Sequence, residues 1–229
     1  MQRKHRRSMV QGGIFCVAVF LQSAGCGEVR YRDTISPQTS IQKLVLQGDV
    51  GVVEVVPSDR TRVEYAVRAP EGTALVQYTE FDGVLQVNTR CRTPILCSVD
   101  AEIHIPMDVH LDIELDRGEV WATGVGAINV SVGQGLVDLE TASVTTVQVG
   151  SGSARVVSRQ PEQIRVAVGQ GDITALVSPE AWNVSIVAAG ESLKGIAHDE
   201  DASGILELVA PAGVVSVKAV DGARDSGTP

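Results

Sequence analysis

An all-β fold of stacked short strands is predicted by three observations. Between Leu111 and Val177 one pattern returns around Gly118, Gly135, Gly152 and Gly171, at spacings of 17, 17 and 19 residues. On both sides of each glycine apolar and polar residues alternate with period two, which is the period of a half-buried strand. After residue 25 no segment has a helical period.

Counted from each glycine, positions −7, −5 and −3 are Leu111, Ile113 and Leu115, then Ile128, Val130 and Val132, then Thr145, Val147 and Val149, then Ile164, Val166 and Val168. Only Thr145 is not apolar. Positions +2 and +4 are Val120 and Ala122, Val137 and Leu139, Ala154 and Val156, Ile173 and Ala175. The positions between are mostly polar, so each unit reads as two half-buried strands joined by a tight turn at a glycine that can take positive φ. Equal residues at equal offsets predict rungs of a β-solenoid, in which the offsets stack as ladders. The alternative is an antiparallel β-sandwich whose hairpins turn at the same glycines.

At the start of the chain, Arg3, Lys4, Arg6 and Arg7 precede an apolar run from Ile14 to Leu21, followed by Ser23-Ala24-Gly25-Cys26. The run is too short to span a bilayer as a helix. Residues 1–25 resemble a bacterial lipoprotein signal, which implies that Cys26 is lipidated, anchors the chain to a membrane and directs it to the outer membrane. Ser23 departs from the Leu usual in such signals, and an ordinary cleaved signal or an uncleaved anchor are the competing readings. Residues 26–40 are polar and unpatterned and are expected to form a tether. The repeat domain is expected over residues 41–220 and a disordered tail over 221–229.

The same register surrounds Gly51, with Leu44 and Leu46 before it and Val53 and Val55 after, and Gly83, with Val76 and Tyr78 before and Leu85 and Val87 after. Longer excursions separate these early units. From Val99 to Leu115 every odd position is apolar, and Pro106, which cannot donate to a ladder, marks a corner. After Val177 a degenerate unit lies around Gly190 and a final one around Gly213. Irregular end rungs are expected of a stack that has neighbours on one side only.

Cys91 and Cys97 are the only cysteines after Cys26. Without further Cys or His ligands in zinc spacing, they predict a local disulfide suited to an oxidising compartment. The loop they close offers Pro94, Ile95 and Leu96 as a candidate contact, unless its tip folds onto the body. Trp121, at the outward +3 position, is a candidate stacking platform for a sugar ring. In the same row Asp138 and Arg155 would be neighbours if the rungs stack.

The chain carries a net charge of −9, and without its four basic and no acidic residues in the first 25 the balance is 15 Lys+Arg against 28 Asp+Glu, or −13. Such a surface repels nucleic acid. The acidic run from Asp100 to Asp116 reads as a solvated face, because residues two apart on a strand lie about 7 Å from each other and cannot share one ion without another rung. Gly169-Gln170-Gly171-Asp172 is not repeated at nine residues, so no calcium-binding array is predicted, and no metal or cofactor is assigned. No nucleophile elbow, His-Glu-x-x-His or phosphate-binding loop is present. The enzymatic alternative is a polysaccharide-active parallel β-helix, which needs a cleft that gathers residues such as Asp112, Asp138 and Arg155.

The segments VSVGQGLVDLE, VQVGSGSARVV and VAVGQGDITAL, following a signal and a tether, resemble the family of bacterial envelope proteins called putative adhesins. Over residues 41–220 the resemblance implies a solenoid-like β fold and a structural or adhesive envelope role, with glycan or protein as partner. It implies no catalytic residues.

Overall fold

A computed structural model describes residues 28–93, 96–141, 143–160 and 162–220. Among them are twelve strands and no helix: β1 (Glu28–Ile35), β2 (Lys43–Pro57), β3 (Arg62–Pro70), β4 (Ala74–Phe81), β5 (Val84–Cys91), β6 (Ser98–Ile105), β7 (His110–Val125), β8 (Ile128–Thr141), β9 (Thr145–Ser158), β10 (Gln163–Val177), β11 (Trp182–Lys194) and β12 (Gly204–Ala219). All join one sheet, in which β7, β8, β9 and β10 follow β2 as parallel neighbours. This is the stacked, solenoid-like arrangement; antiparallel pairing is confined to β1–β3, β3–β6 and β4–β5.

Each repeat is one long strand bent at its glycine, where two strands and a turn were expected. Leu111, Ile113 and Leu115 are buried before the bend of β7, and Val120 and Ala122 after it. From Leu115 to Val120 is an odd number of steps, which on a flat strand would put them on opposite faces. The bend turns both halves inward, onto one core that runs through the stack. Thr145 fits this core because its hydroxyl donates to Thr141 Oγ1 at 2.9 Å and is not left unpaired.

The glycines themselves stack. Gly51 pairs with Gly118, and Gly118, Gly135, Gly152 and Gly171 follow in register. At Gly135 two constraints coincide: φ is 153°, and an added Cβ would lie 1.6 Å from the carbonyl oxygen of Gly118. The requirement is therefore close backbone approach between rungs as well as turn geometry. A second row, Gly133, Gly150 and Gly169, is packed the same way two residues earlier.

Gly83 is a different kind of turn. With Asp82 at φ 51° and Gly83 at φ 73°, it makes the two-residue hairpin between β4 and β5, the geometry that an Asp-Gly pair favours. Gly213 belongs to the corner ladder, since its Cβ would meet Gly171 O at 1.8 Å. Its strand, β12, is nevertheless not the last rung: it enters between β10 and β11, leaving the degenerate unit around Gly190 at the end.

Residues 28–35 were expected in the tether and instead form β1, paired antiparallel with β3 over its full length. Tyr31, Asp33 and Ile35 share one face, opposite Val67, Tyr65 and Val63, and of the three Ile35 is buried. The charged residues Arg30 and Arg32 occupy the other face, which makes an edge strand look unpatterned by composition. Residues 1–27, expected to hold the signal and Cys26, together with Pro94, Ile95 and residues 221–229, lie outside the described residues.

Candidate binding surface

The first full rung before β2 is assembled from two strands. β5 pairs with the first half of β2, up to Gly48↔Thr89, and β6 pairs with the second half from Val53↔Ala101. Where other rungs have a glycine corner, this one has the loop between Cys91 and Cys97. Their disulfide, with Cα atoms 5.8 Å apart, closes it. Both cysteines are buried with Val67, Ala69 and Val99 in a small apolar cluster, so the base of the loop is fastened to the body. Leu96, 60% exposed, projects from it.

Past the corner, the outward +3 positions form one continuous row. Glu64 pairs with Glu102, Glu102 with Glu54, Glu54 with Trp121, Trp121 with Asp138, Asp138 with Arg155 and Arg155 with Thr174. Arg155 Nη1 donates to Asp138 Oδ1 at 2.7 Å, the contact that rung stacking predicted. Arg62 pairs with Glu64 at 2.9 Å, and His104 Nε2 lies 3.0 Å from Glu102. Trp121 is 40% exposed, and its Nε1 donates to Glu119 at 3.2 Å. It is the one large apolar side chain in this row. The three-glutamate half of the row was not visible as a unit in the sequence, because Glu64 and Glu102 come from strands delivered by the early excursions.

On the other side of the bend, Asp112 receives Lys43 Nζ at 2.5 Å, His110 Nε2 at 2.8 Å and Asn129 Nδ2 at 2.9 Å. Partial burial pushes its carboxyl up, but the hydrogen bonds from Lys43, Asn129 and His110 outweigh that and hold it below the ordinary carboxylate range. Asp112 stands six residues before its corner glycine and Asp138 three residues after its own, so the bend separates them and no cleft gathers Asp112 with Asp138 and Arg155. Among the described residues no three His, Cys, Asp or Glu side chains are grouped to hold a metal ion. Trp121 and the disulfide-closed loop are likewise not parts of one pocket: the loop sits at a corner, and Trp121 lies three residues beyond the corner of a different rung.

No protein family model matches this chain, and no curated protein matches it in sequence. Among solved structures it is similar to a putative cell adhesion protein from Clostridium sporogenes ATCC 15579, with a TM-score of 0.50 and 11% identity over 85% of this chain and 100% of that one. It is also similar to a putative adhesin from Parabacteroides merdae ATCC 43184, with a TM-score of 0.41 and 13% identity over 84% of this chain and 96% of that one. At these identities the likeness to the Clostridium protein establishes the fold alone.

Proposed function

We propose that this protein is a lipid-anchored, non-enzymatic component of the cell envelope whose rigid stack serves as a structural or adhesive surface. The observation that carries the reading is the shared fold along the whole length of the Clostridium sporogenes protein, which is described as a putative cell adhesion protein. Trp121 is the favoured contact for a glycan or protein partner, because it offers an exposed aromatic face on a surface of paired charges. The membrane anchor rests on Ser23-Ala24-Gly25-Cys26.

Two experiments test this reading. Metabolic labelling with a fatty acid should mark the parent chain and not Cys26→Ala; equal labelling would remove the lipid anchor. Envelope extracts passed over the full chain should yield a glycan or protein whose capture drops about tenfold with Trp121→Ala, a loss of about 1.4 kcal/mol. Capture unchanged by that substitution would exclude Trp121 as the contact.

A further inference from the structure

At the C-terminal end of the stack the last rung departs from the register of every rung beneath it. Glu191 pairs with Val215 on the parallel strand β12 and so lies on the same, inward side, although at this uncovered end it remains exposed. At this position the other bent rungs carry Val53, Val120, Val137, Ala154, Ile173 and Val215, all buried. Around Glu191 the interior opens as a cavity of about 180 Å³, lined by Val184, Ile186, Leu193, Ile196 and His198. Leu193, opposite the fully buried Val217, is 48% exposed.

The outer edge of β11 is altered in two further ways. A bulge lies between Ala188 and Gly190. The chain after β11 also folds back over its beginning: Trp182 N donates to Ala197 O, Asp199 N donates to Trp182 O, and Val184 N donates to His198 Nδ1. Among the described residues no strand pairs with this edge beyond that cover, which leaves the edge open from Ser185 to Lys194, with the bulge and Glu191 inside that stretch.

An open edge above an apolar interior is a template for another strand, and inward charges, bulges and covering loops are the means by which native sheets block it. All three meet here. A second copy adding its own β11 edge to edge would lie about 4.8 Å away. It would seal both Glu191 carboxylates into one largely apolar space that no Lys or Arg lines and where His198 is the other polar side chain, which is strongly unfavourable. We infer that Glu191 terminates the stack: it is the residue that keeps a second copy of this chain from adding to the β11 edge.

The test compares full-length chains under identical conditions by light scattering after gel filtration. Glu191→Val restores the aliphatic register and should raise the dimer fraction at least tenfold over the parent. Amide exchange at Ser185–Ala188 should slow only in that variant. Glu191→Lys removes the negative charge but keeps an inward charge, and should remain like the parent. If Glu191→Lys associates as strongly as Glu191→Val, the effect is loss of acidity and the inference fails. It also fails if Glu191→Val has the parent's mass, or if the parent protects Ser185–Ala188 as its concentration rises. Glu191→Leu repeats the test should the valine variant fold poorly. Loss of the adhesive reading would leave all these outcomes unchanged.

Discussion

At one end of the stack the interior is covered by the buried Ile35 and the half-buried Tyr65, with the more exposed Tyr31 and Tyr78 at its rim, carried on strands that run antiparallel to their neighbours; at the other it opens on Val184, Ile186 and Leu193, carried on a parallel strand. Tyr31 and Tyr65 meet edge to face, with centroids 6.3 Å apart, and Tyr65 donates to Asp33 at 3.3 Å. Beside them, the Glu80 carboxylate accepts from the backbone of Gln38 and Thr39 and ties down the crossing between β1 and β2. Among the described residues no aromatic ring covers Leu193, which is 48% exposed. Three of the six aromatic residues after residue 25 thus gather at one end, whereas at the other the buried Trp182 fills only the start of β11 and the stretch around Glu191 and Leu193 stays open. The same problem, an unpaired end of a continuous core, is met once by filling the space and once by making it unfit to cover.

Both ends depend on the regular middle, so the largest effect is expected there. Gly135→Val places a branched side chain at φ 153° and against the Gly118 carbonyl. A loss of about 3 kcal/mol or more is expected, since strain and backbone displacement combine. An unchanged melting temperature would show that neighbouring rungs are free to separate, and that the corner ladder does not hold the two ends together.

The contrast between the ends is sharpened by a pair of truncations. Ile35→Ala should cost about 2–4 kcal/mol in urea unfolding, as for a buried Ile in a packed core, because Ile35 is only 3% exposed. Leu193→Ala, at the open mouth, should cost about 1 kcal/mol or less. Equal losses would mean that the mouths are equally packed. A negligible loss at Ile35 would return β1 to the role of a tether.

Tyr65 gives the closed end a signature at high pH. Burial and then the charge of Asp33 raise its phenol above the ordinary value. A folded-state pKa above the unfolded one contributes stability in full below the unfolded value, about 10, and loses it as pH climbs toward the folded value. Thermal melts of the parent should therefore fall above about pH 10, and Tyr65→Phe should flatten that decline at a cost of about 1 kcal/mol at neutral pH. A decline that survives Tyr65→Phe would place the titrating group elsewhere.

The smallest effect is expected at Asp112, on the outer surface between the ends. Its carboxyl is held below the ordinary range, so its contribution is present above about pH 4 and is lost as pH falls through the lower folded value. With Lys43 41% exposed, the pair is worth about 1 kcal/mol or less. Asp112→Asn should remove that part of the acid dependence in urea titrations at pH 3 and pH 6. A larger loss at pH 6 would make this cluster a structural clasp between β2 and β7.

From sequence alone, the buried face of the middle repeats could be read, and their rung-on-rung alignment followed once stacking was preferred to the sandwich. Alternation names the buried face, equal offsets align one rung on the next, and so the Asp138–Arg155 contact and the local Cys91–Cys97 bond could be read without coordinates. Only the tertiary structure decided which strand covers which. It made β1 part of the sheet, set β12 inside β11, put a disulfide where other rungs have a glycine, assembled the Glu64–Glu102–Glu54–Trp121 row and turned Glu191 inward. The physical reason is that period-two patterning reports which side of a strand leaves water, but says nothing about the neighbour at its edge. Edge pairing is settled by backbone hydrogen bonds that every residue except proline offers alike, and by the space left once the other rungs are in place.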